Sequence, residues 1–216
     1  GGEPTLRADI VEIVREVASL PGLADLGLTT NGLRLESLAE SLAAAGLRRI
    51  NVSLDTLDPG RFRQITGVDG LEEVLRGLEA ARQAGLLPLR VNCVVMRGIN
   101  DDELNELVQR GLANGWEVRF IELMPIGPLS ARWNELFVPV QEMMSRLTSV
   151  REFRAVSDSK GVARLYEVVL RDGKTGRVGF IAPMSEHFCG QCDRIRITAE
   201  GRLHACLMTD QPVDLL

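Results

Sequence analysis

From Asp9 to Met124 one phrase recurs four times: an amphipathic helical stretch, a glycine, then a short run rich in Val, Ile and Leu. "DIVEIVREVASLPG" precedes "LADLGLTTNG", and "LESLAESLAAAG" precedes "LRRINVSLDT". "LEEVLRGLEAARQAG" precedes "LLPLRVNCVVM", and "DDELNELVQRGLANG" precedes "WEVRFIELMP". Such alternation leaves few architectures, because each helix must carry the chain back along the sheet before the next strand begins. The strands are then parallel and the helices lie outside them. An α/β fold follows, with strands near residues 25–29, 49–54, 90–96 and 118–124. Their apolar composition predicts burial on both faces. Leu71, Val74, Leu75 and Leu78 share one helical face. Asp9 with Glu12 reads as a capping box, Asp58-Pro59 as an N-cap and first turn, and Gly46, Gly85 and Gly115 as helix stops. The pattern alone does not choose between a barrel and an open sheet.

After Pro125 the rhythm changes. "IGPLSARWNELFVPV" is loop-rich, "QEMMSRLTS" reads as a helix, and "ARLYEVVL", "GRVGFIAP", "DRIRITAE" and "GRLHACL" read as strands joined by Gly-containing turns. Two regions are therefore expected, residues 1–125 and 126–216, the second more antiparallel in character. The net charge of −5 opposes a generic nucleic-acid surface. No apolar run approaches the roughly 18 residues of a membrane span. Four cysteines, three of them clustered, suit a metal site in a reducing compartment better than a disulfide scaffold, so a cytoplasmic protein is expected. The opening "GGEPTLR" has no lead-in and reads as the interior of a longer protein.

In parallel α/β folds ligands sit at the carboxyl ends of the strands. Thr29, Thr30 and Asn31, Ser53 and Asp55, and Met124 stand at those ends, with Asn92 and Cys93 inside the third strand. A bland alternative exists for each: the hydroxyls satisfy strand-end backbone, Met124 fills core, and Cys93 is a buried thiol.

The segment "EHFCGQCDRIRITAEGRLHACLM" is more specific. Cys189 and Cys192 form C-x2-C, and Cys206 follows thirteen residues later. Glu200-Gly201 is a turn signal between two alternating runs, so the segment folds as a hairpin that sets Cys206 opposite Arg194 or Ile195, beside Cys192. Spacing leaves three occupants open: zinc completed by His187 or His204, an iron–sulfur cluster with one iron unligated by protein, or no metal. Arg194 and Arg196, two apart in a strand, share a face and make a fork for phosphate or carboxylate. A structural zinc does not need that fork; an open-site cluster holding an anionic substrate does.

"GGEP", "TTNG", "NVSLDT", "VNCVVMRGIND", "FIELMP" and "FCGQCDRIRITAEGRLHACL" together resemble the GTP 3′,8-cyclase family of molybdenum-cofactor biosynthesis, within the radical S-adenosylmethionine enzymes. The resemblance implies a partial triosephosphate-isomerase-type (βα) barrel with a C-terminal, more antiparallel α+β extension. It implies S-adenosylmethionine as cofactor and two 4Fe–4S clusters. The first, on an N-terminal C-x3-C-x2-C, would generate the radical that abstracts hydrogen from ribose C3′ of GTP, before C3′ joins guanine C8. The second would rest on Cys189, Cys192 and Cys206, leaving one iron for the guanine. By position Thr29, Arg90, Arg194, Ile195 and Arg196 match GTP contacts, and Gly2, Ser53 and Met124 match S-adenosylmethionine contacts. Arg90 stands where the family usually carries a lysine for the triphosphate, so a planar fork replaces a point charge. GTP is then the implied small-molecule partner, the next enzyme of the pathway takes the product, nucleic acid and membrane are not partners, and a homodimer is one candidate assembly. No three cysteines here have the C-x3-C-x2-C spacing, so the chain on its own is expected to be inactive. A zinc-binding, non-catalytic interaction module is the alternative reading.

Overall fold

The computed structural model describes residues 2–157, 161–187, 190, 192, 194–206, 208 and 212–215. Four strands, β1 (Gly27–Thr30), β2 (Arg49–Ser53), β3 (Leu89–Val95) and β4 (Glu117–Glu122), pair in parallel and in sequence order. Between them run α2 (Leu35–Ala44), α3 (Pro59–Thr66), α4 (Leu71–Gln83) and α5 (Leu104–Ala113), with α1 (Ile10–Ala18) ahead of β1. The second half adds α6 (Trp133–Leu136), α7 (Val140–Arg146), β5 (Val150–Ala155), β6 (Arg164–Leu170) and β7 (Thr175–Ile181). β7 lies parallel beside β4, β6 antiparallel beside β7, and β5 antiparallel beside β6, giving the order β1-β2-β3-β4-β7-β6-β5. The sheet is mostly parallel in its first five places and passes without a break from one half of the chain to the other. A separate antiparallel sheet, ordered β10-β9-β8, is made by β8 (Arg196–Ile197), β9 (Arg202–His204) and β10 (Val213–Asp214). Among the described residues no helix is long and apolar enough to cross a membrane.

The local signals act much as the sequence indicates. Asp58 Oδ1 accepts the Arg61 amide at 2.7 Å and caps α3, with Pro59 in its first turn. Gly46, Gly85 and Gly115 follow α2, α4 and α5 at φ of 105°, 75° and 73°, a left-handed region in which a Cβ is strained. Gly77 serves closeness instead: a Cβ there would lie 2.8 Å from the Gly32 carbonyl oxygen and 2.9 Å from Leu35 Cβ, so α4 rides directly on the start of α2. The capping box expected at Asp9 and Glu12 does not form. Asp9 makes no side-chain cap, because its carboxylate is taken by Arg7 at 2.9 and 2.7 Å.

The expectation of strands buried on both faces is also corrected. One face is apolar: Ile50, Val52, Val91, Cys93, Val95, Val118, Phe120, Val178 and Phe180 are buried and pack with Leu42, Val74, Leu78, Leu107, Val108 and Met143 of the helices. The alternate positions of the same strands include Thr29, Arg49, Asn51, Ser53, Arg90, Asn92, Glu117 and Arg119, joined by Val94 and Ile121 toward the carboxyl ends, so the other face is mostly polar. Polar residues at strict period two are not filler in a two-sided core; they line a surface that meets something other than protein core.

Glu122, at the end of β4 and 1% exposed, belongs to the apolar side yet is fully bonded. It accepts from the amides of Val140, Met184 and Ser185, each at 2.9 Å, and from the Ser185 hydroxyl. One buried carboxylate thus ties β4 to the start of α7 and to the turn after β7, from which the chain enters the cysteine segment.

Candidate functional site

Strand register turns separate sequence motifs into one surface. Thr29 pairs with Asn51, Asn51 with Arg90 and Arg90 with Glu117, forming one row across β1 to β4. One residue pair nearer the strands' carboxyl ends, Ser53 pairs with Asn92, Asn92 with Arg119 and Arg119 with Gly179. Thr29 and Arg90, both expected GTP contacts, therefore stand in the same row two strands apart, about 10 Å by strand spacing. Ser53, an expected S-adenosylmethionine contact, sits nearer the mouth. Asn51 Nδ2 donates to Thr29 Oγ1 at 3.0 Å. The Oδ1 atoms of Asn51 and Asn92 are buried without a partner among the described residues. An orphan acceptor of this kind is costly unless a ligand or water completes it.

The arginines are held together. Glu117 Oε1 accepts from Arg90 Nε at 3.2 Å and from Arg119 Nε at 2.7 Å, with Arg119 Nη2 at 2.5 Å. Burial, then repulsion from Arg119, lowers the pKa of Arg90, against the pull of Glu117. Two guanidiniums sharing one carboxylate leave a positive charge over, on a face lined with hydrogen-bonding groups.

At the mouth, Glu3 of the Gly-Gly-Glu-Pro stretch organises the turn. Its Oε1 accepts from the Thr5 amide at 3.0 Å, the Thr5 hydroxyl at 2.6 Å and the Thr30 hydroxyl at 2.5 Å, and its Oε2 from the Asn31 amide at 2.7 Å. Burial pushes its pKa up, but the bonds from Thr30, Thr5 and Asn31 outweigh burial and hold it below the usual carboxylate range. Gly2 precedes this clamp, exposed, with nothing within 4 Å of where a Cβ would be; Gly1 lies outside the described residues. A cavity of about 220 Å³ opens beside it, lined by Asn31, Ser53, Asp55, Thr56, Phe62 and neighbours. Asp55 Oδ1 accepts the Val94 amide at 2.7 Å, and burial pushes its pKa up to about 6 despite that bond. Met124 is half-buried two residues past β4. Hydrogen-bonding groups from Asn31, Ser53, Asp55 and Thr56 thus share this cavity with the apolar side chains of Leu33, Phe62, Ile65 and Val68.

The expected cysteine hairpin forms. Arg196 pairs with His204 and Ile197 with Leu203, an offset that, continued outward, would bring Cys206 opposite Arg194, one of the two positions expected for it. Strand alternation puts Arg196 and His204 on one face and Ile197, Leu203 and Val213 on the other. Ile195, just ahead of β8, is 63% exposed. Cys192 is exposed and Cys206 half-buried; Cys189 lies outside the described residues. Among the described residues no three His, Cys, Asp or Glu side chains converge on a metal position. The donor set is nonetheless soft thiolate on a hairpin beside cationic side chains, which fits an iron–sulfur cluster. His187, one zinc candidate, contacts the Pro183 carbonyl through Nδ1 at 2.9 Å. Cys93 is buried, its thiol 3.6 Å from the Asp55 carbonyl oxygen, as its mid-strand place suggests.

Sequence reasoning missed Glu3, Glu117 and Arg119. The signal for the last two was present, since "WEVRF" places charges at period two inside an otherwise apolar strand.

Comparison with known proteins adds two family models and close relatives. Residues 1–111 match the model described as the radical SAM superfamily, and residues 116–216 match Molybdenum Cofactor Synthesis C. The chain is 44% identical over 217 residues to a GTP 3′,8-cyclase of Moorella thermoacetica, 40% over 216 to one of Alkaliphilus metalliredigens, and 42% over 217 to one of Pseudomonas syringae. All of this chain is covered in each case, and it spans 66%, 66% and 65% of those proteins. A solved structure of TYW1 with a lysine-pyruvate adduct bound shares the fold, with a TM-score of 0.53 at 18% identity, over 85% of this chain and 57% of that one.

Proposed function

Since the chain belongs to the radical SAM superfamily, we propose that it forms the substrate-binding part of a GTP 3′,8-cyclase, which joins ribose C3′ to guanine C8 in the first step of molybdenum-cofactor biosynthesis. The β8–β9 hairpin supports the reading: it pairs Arg196 with His204, two residues before Cys206 in the chain, so that continuing the same offset would bring the Cys206 thiol toward Arg194. In the longer protein the seven-stranded sheet would be part of a triosephosphate-isomerase-type barrel, with residues 126–216 as the substrate and second-cluster region.

Cys189, Cys192 and Cys206 would hold a 4Fe–4S cluster, and Gly2, Ser53 and Met124 would hold S-adenosylmethionine; together these groups supply one-electron chemistry at the mouth of the sheet. The residues of this chain bind and orient. Arg194 and Arg196 present cationic donors beside the thiolates, and the backbone of Ile195 runs between them. Thr29 and Arg90 hold GTP from the polar row, with Arg90 toward its phosphates. The Glu3 clamp fixes the turn that offers backbone groups to the amino-acid end of S-adenosylmethionine. No C-x3-C-x2-C occurs in this sequence, so radical initiation requires ligands from outside it, and the isolated chain would not turn over GTP.

The test is anaerobic reconstitution of this chain with iron and sulfide, followed by metal counting and electron paramagnetic resonance with and without GTP. About four irons per chain and a spectrum perturbed by GTP are expected. One zinc per chain with no response to GTP would instead support a zinc-binding interaction module, the alternative left open by the three-cysteine spacing.

A further inference from the structure

We infer that Glu117 is a positioning residue that sets two arginines as a polyphosphate-binding fork; the inference rests on the reading of Arg90 as a GTP contact. A single oxygen, Oε1, receives the Nε edge of Arg90 and both Nε and Nη2 of Arg119. The three side chains are 17%, 16% and 8% exposed for Arg90, Arg119 and Glu117, so the cluster is largely removed from water. Arg49, the next cation along β2, is already matched by Asp25 at 2.6 Å. The Arg90–Glu117–Arg119 cluster is not matched: two guanidiniums share one carboxylate.

An uncompensated, partly buried cation is costly unless an anion completes it. The geometry says where that anion goes. Glu117 engages the Nε sides, and among the described residues Arg90 Nη1 and Nη2 and Arg119 Nη1 have no hydrogen-bond or ion-pair partner. A guanidinium binds phosphate best edge-on through a pair of nitrogens. With one edge locked by Glu117, each arginine offers its remaining nitrogens in a fixed direction, and rotamer freedom is spent before the ligand arrives. The pairing of Arg90 with Glu117 and of Asn92 with Arg119 staggers the two forks by one residue pair, so successive phosphates of a chain meet successive guanidiniums.

Charge and position make opposite forecasts, which renders the idea testable. Were Glu117 only a counter-charge, removing it would raise the positive potential and tighten anion binding. As a positioning residue, its removal weakens binding although the site becomes more positive. GTP, guanosine and inorganic tripolyphosphate would be titrated calorimetrically into this chain and into Glu117→Ala, Glu117→Gln and Glu117→Asp, with a thermal melt for each. Glu117→Ala is expected to weaken GTP and tripolyphosphate by about tenfold while leaving guanosine unchanged. Glu117→Gln keeps an acceptor oxygen and recovers binding to within about threefold. Glu117→Asp keeps the charge but not the reach; it loses binding, and this holds the test open should the alanine variant fail to fold. Equal or tighter GTP binding in Glu117→Ala, or unchanged binding in Glu117→Asp, overturns the positioning role alone. Absence of GTP binding by the unaltered chain overturns it together with the GTP reading.

Discussion

The Asn31 amide donates to Glu3 Oε2 at 2.7 Å, across 28 residues of chain, and so fixes the Gly-Gly-Glu-Pro turn to the end of β1. Glu3→Gln replaces one acceptor oxygen by a donor and breaks that clamp, at a cost of about 1–2 kcal/mol. The Glu3 pKa is lowered on folding, so its contribution is present above the ordinary carboxylate range and is lost as pH falls through the folded value. Denaturant titrations should therefore show a gap between the two proteins at pH 7 that narrows below about pH 4.

Asp55 has the opposite sign. Burial raises its pKa to about 6, so folding favours its protonated form, and the buried carboxyl increasingly destabilises the fold as pH rises from about 4 through 6. Asp55→Asn can keep the acceptor that meets the Val94 amide at 2.7 Å without a buried charge. The variant should be more stable than the parent at pH 7.5, by at most about 3 kcal/mol, with little difference at pH 4. A difference independent of pH would contradict this.

Glu122→Gln tests the buried clamp. The Met184 and Ser185 amides both donate to Oε2 at 2.9 Å, and a glutamine nitrogen there opposes donor to donor. A loss of about 2–4 kcal/mol follows. Limited proteolysis should then find the turn near Pro183 cut earlier than in the parent, with α1 to α5 unaffected.

Gly77→Ala separates helix propensity from packing. Alanine in a helix interior is favoured by up to about 1 kcal/mol. Here the added methyl meets the Gly32 carbonyl oxygen at 2.8 Å, and backbone does not yield cheaply. A net loss of about 1–3 kcal/mol by chemical denaturation is expected; a gain would mean that α4 can slide over α2.

The repeated helix–glycine–strand phrase made the first half readable, because each of its units is local: period sets the helix, glycine ends it, and the next strand pairs beside the last. β5 was not foreseen, since "VREFRA" carries Arg151, Arg154 and Glu152 and has burial on one side only at its start. The place of β7 was also hidden. Its sequence says strand, but nothing local says that it enters between β4 and β6. The polar face was misread because hydrophobic content was weighed ahead of alternation, and Arg90, Asn92, Glu117 and Arg119 alternate strictly. Glu3 escaped because its partners, Thr30 and Asn31, are far off in sequence. The hairpin was legible from a single turn signal, but its register was not: Glu200-Gly201 left two offsets open, and the structure chooses the one that pairs Arg196 with His204 across a three-residue turn.

The joint between β4 and β7 has a kinetic consequence. Val118 pairs with Val178, sixty positions later, whereas the parallel pairs before it are closed by shorter helical crossovers. Loop closure over that span costs more chain entropy, and contacts of long range form slowly. The βα units of the first half can assemble as they leave the ribosome, but Arg119 gains its neighbour Gly179 only when the last long strand docks. Arg119 therefore completes its surroundings at the end of folding, and slowing the docking of β7 would delay ligand binding while leaving early helix formation at its normal rate.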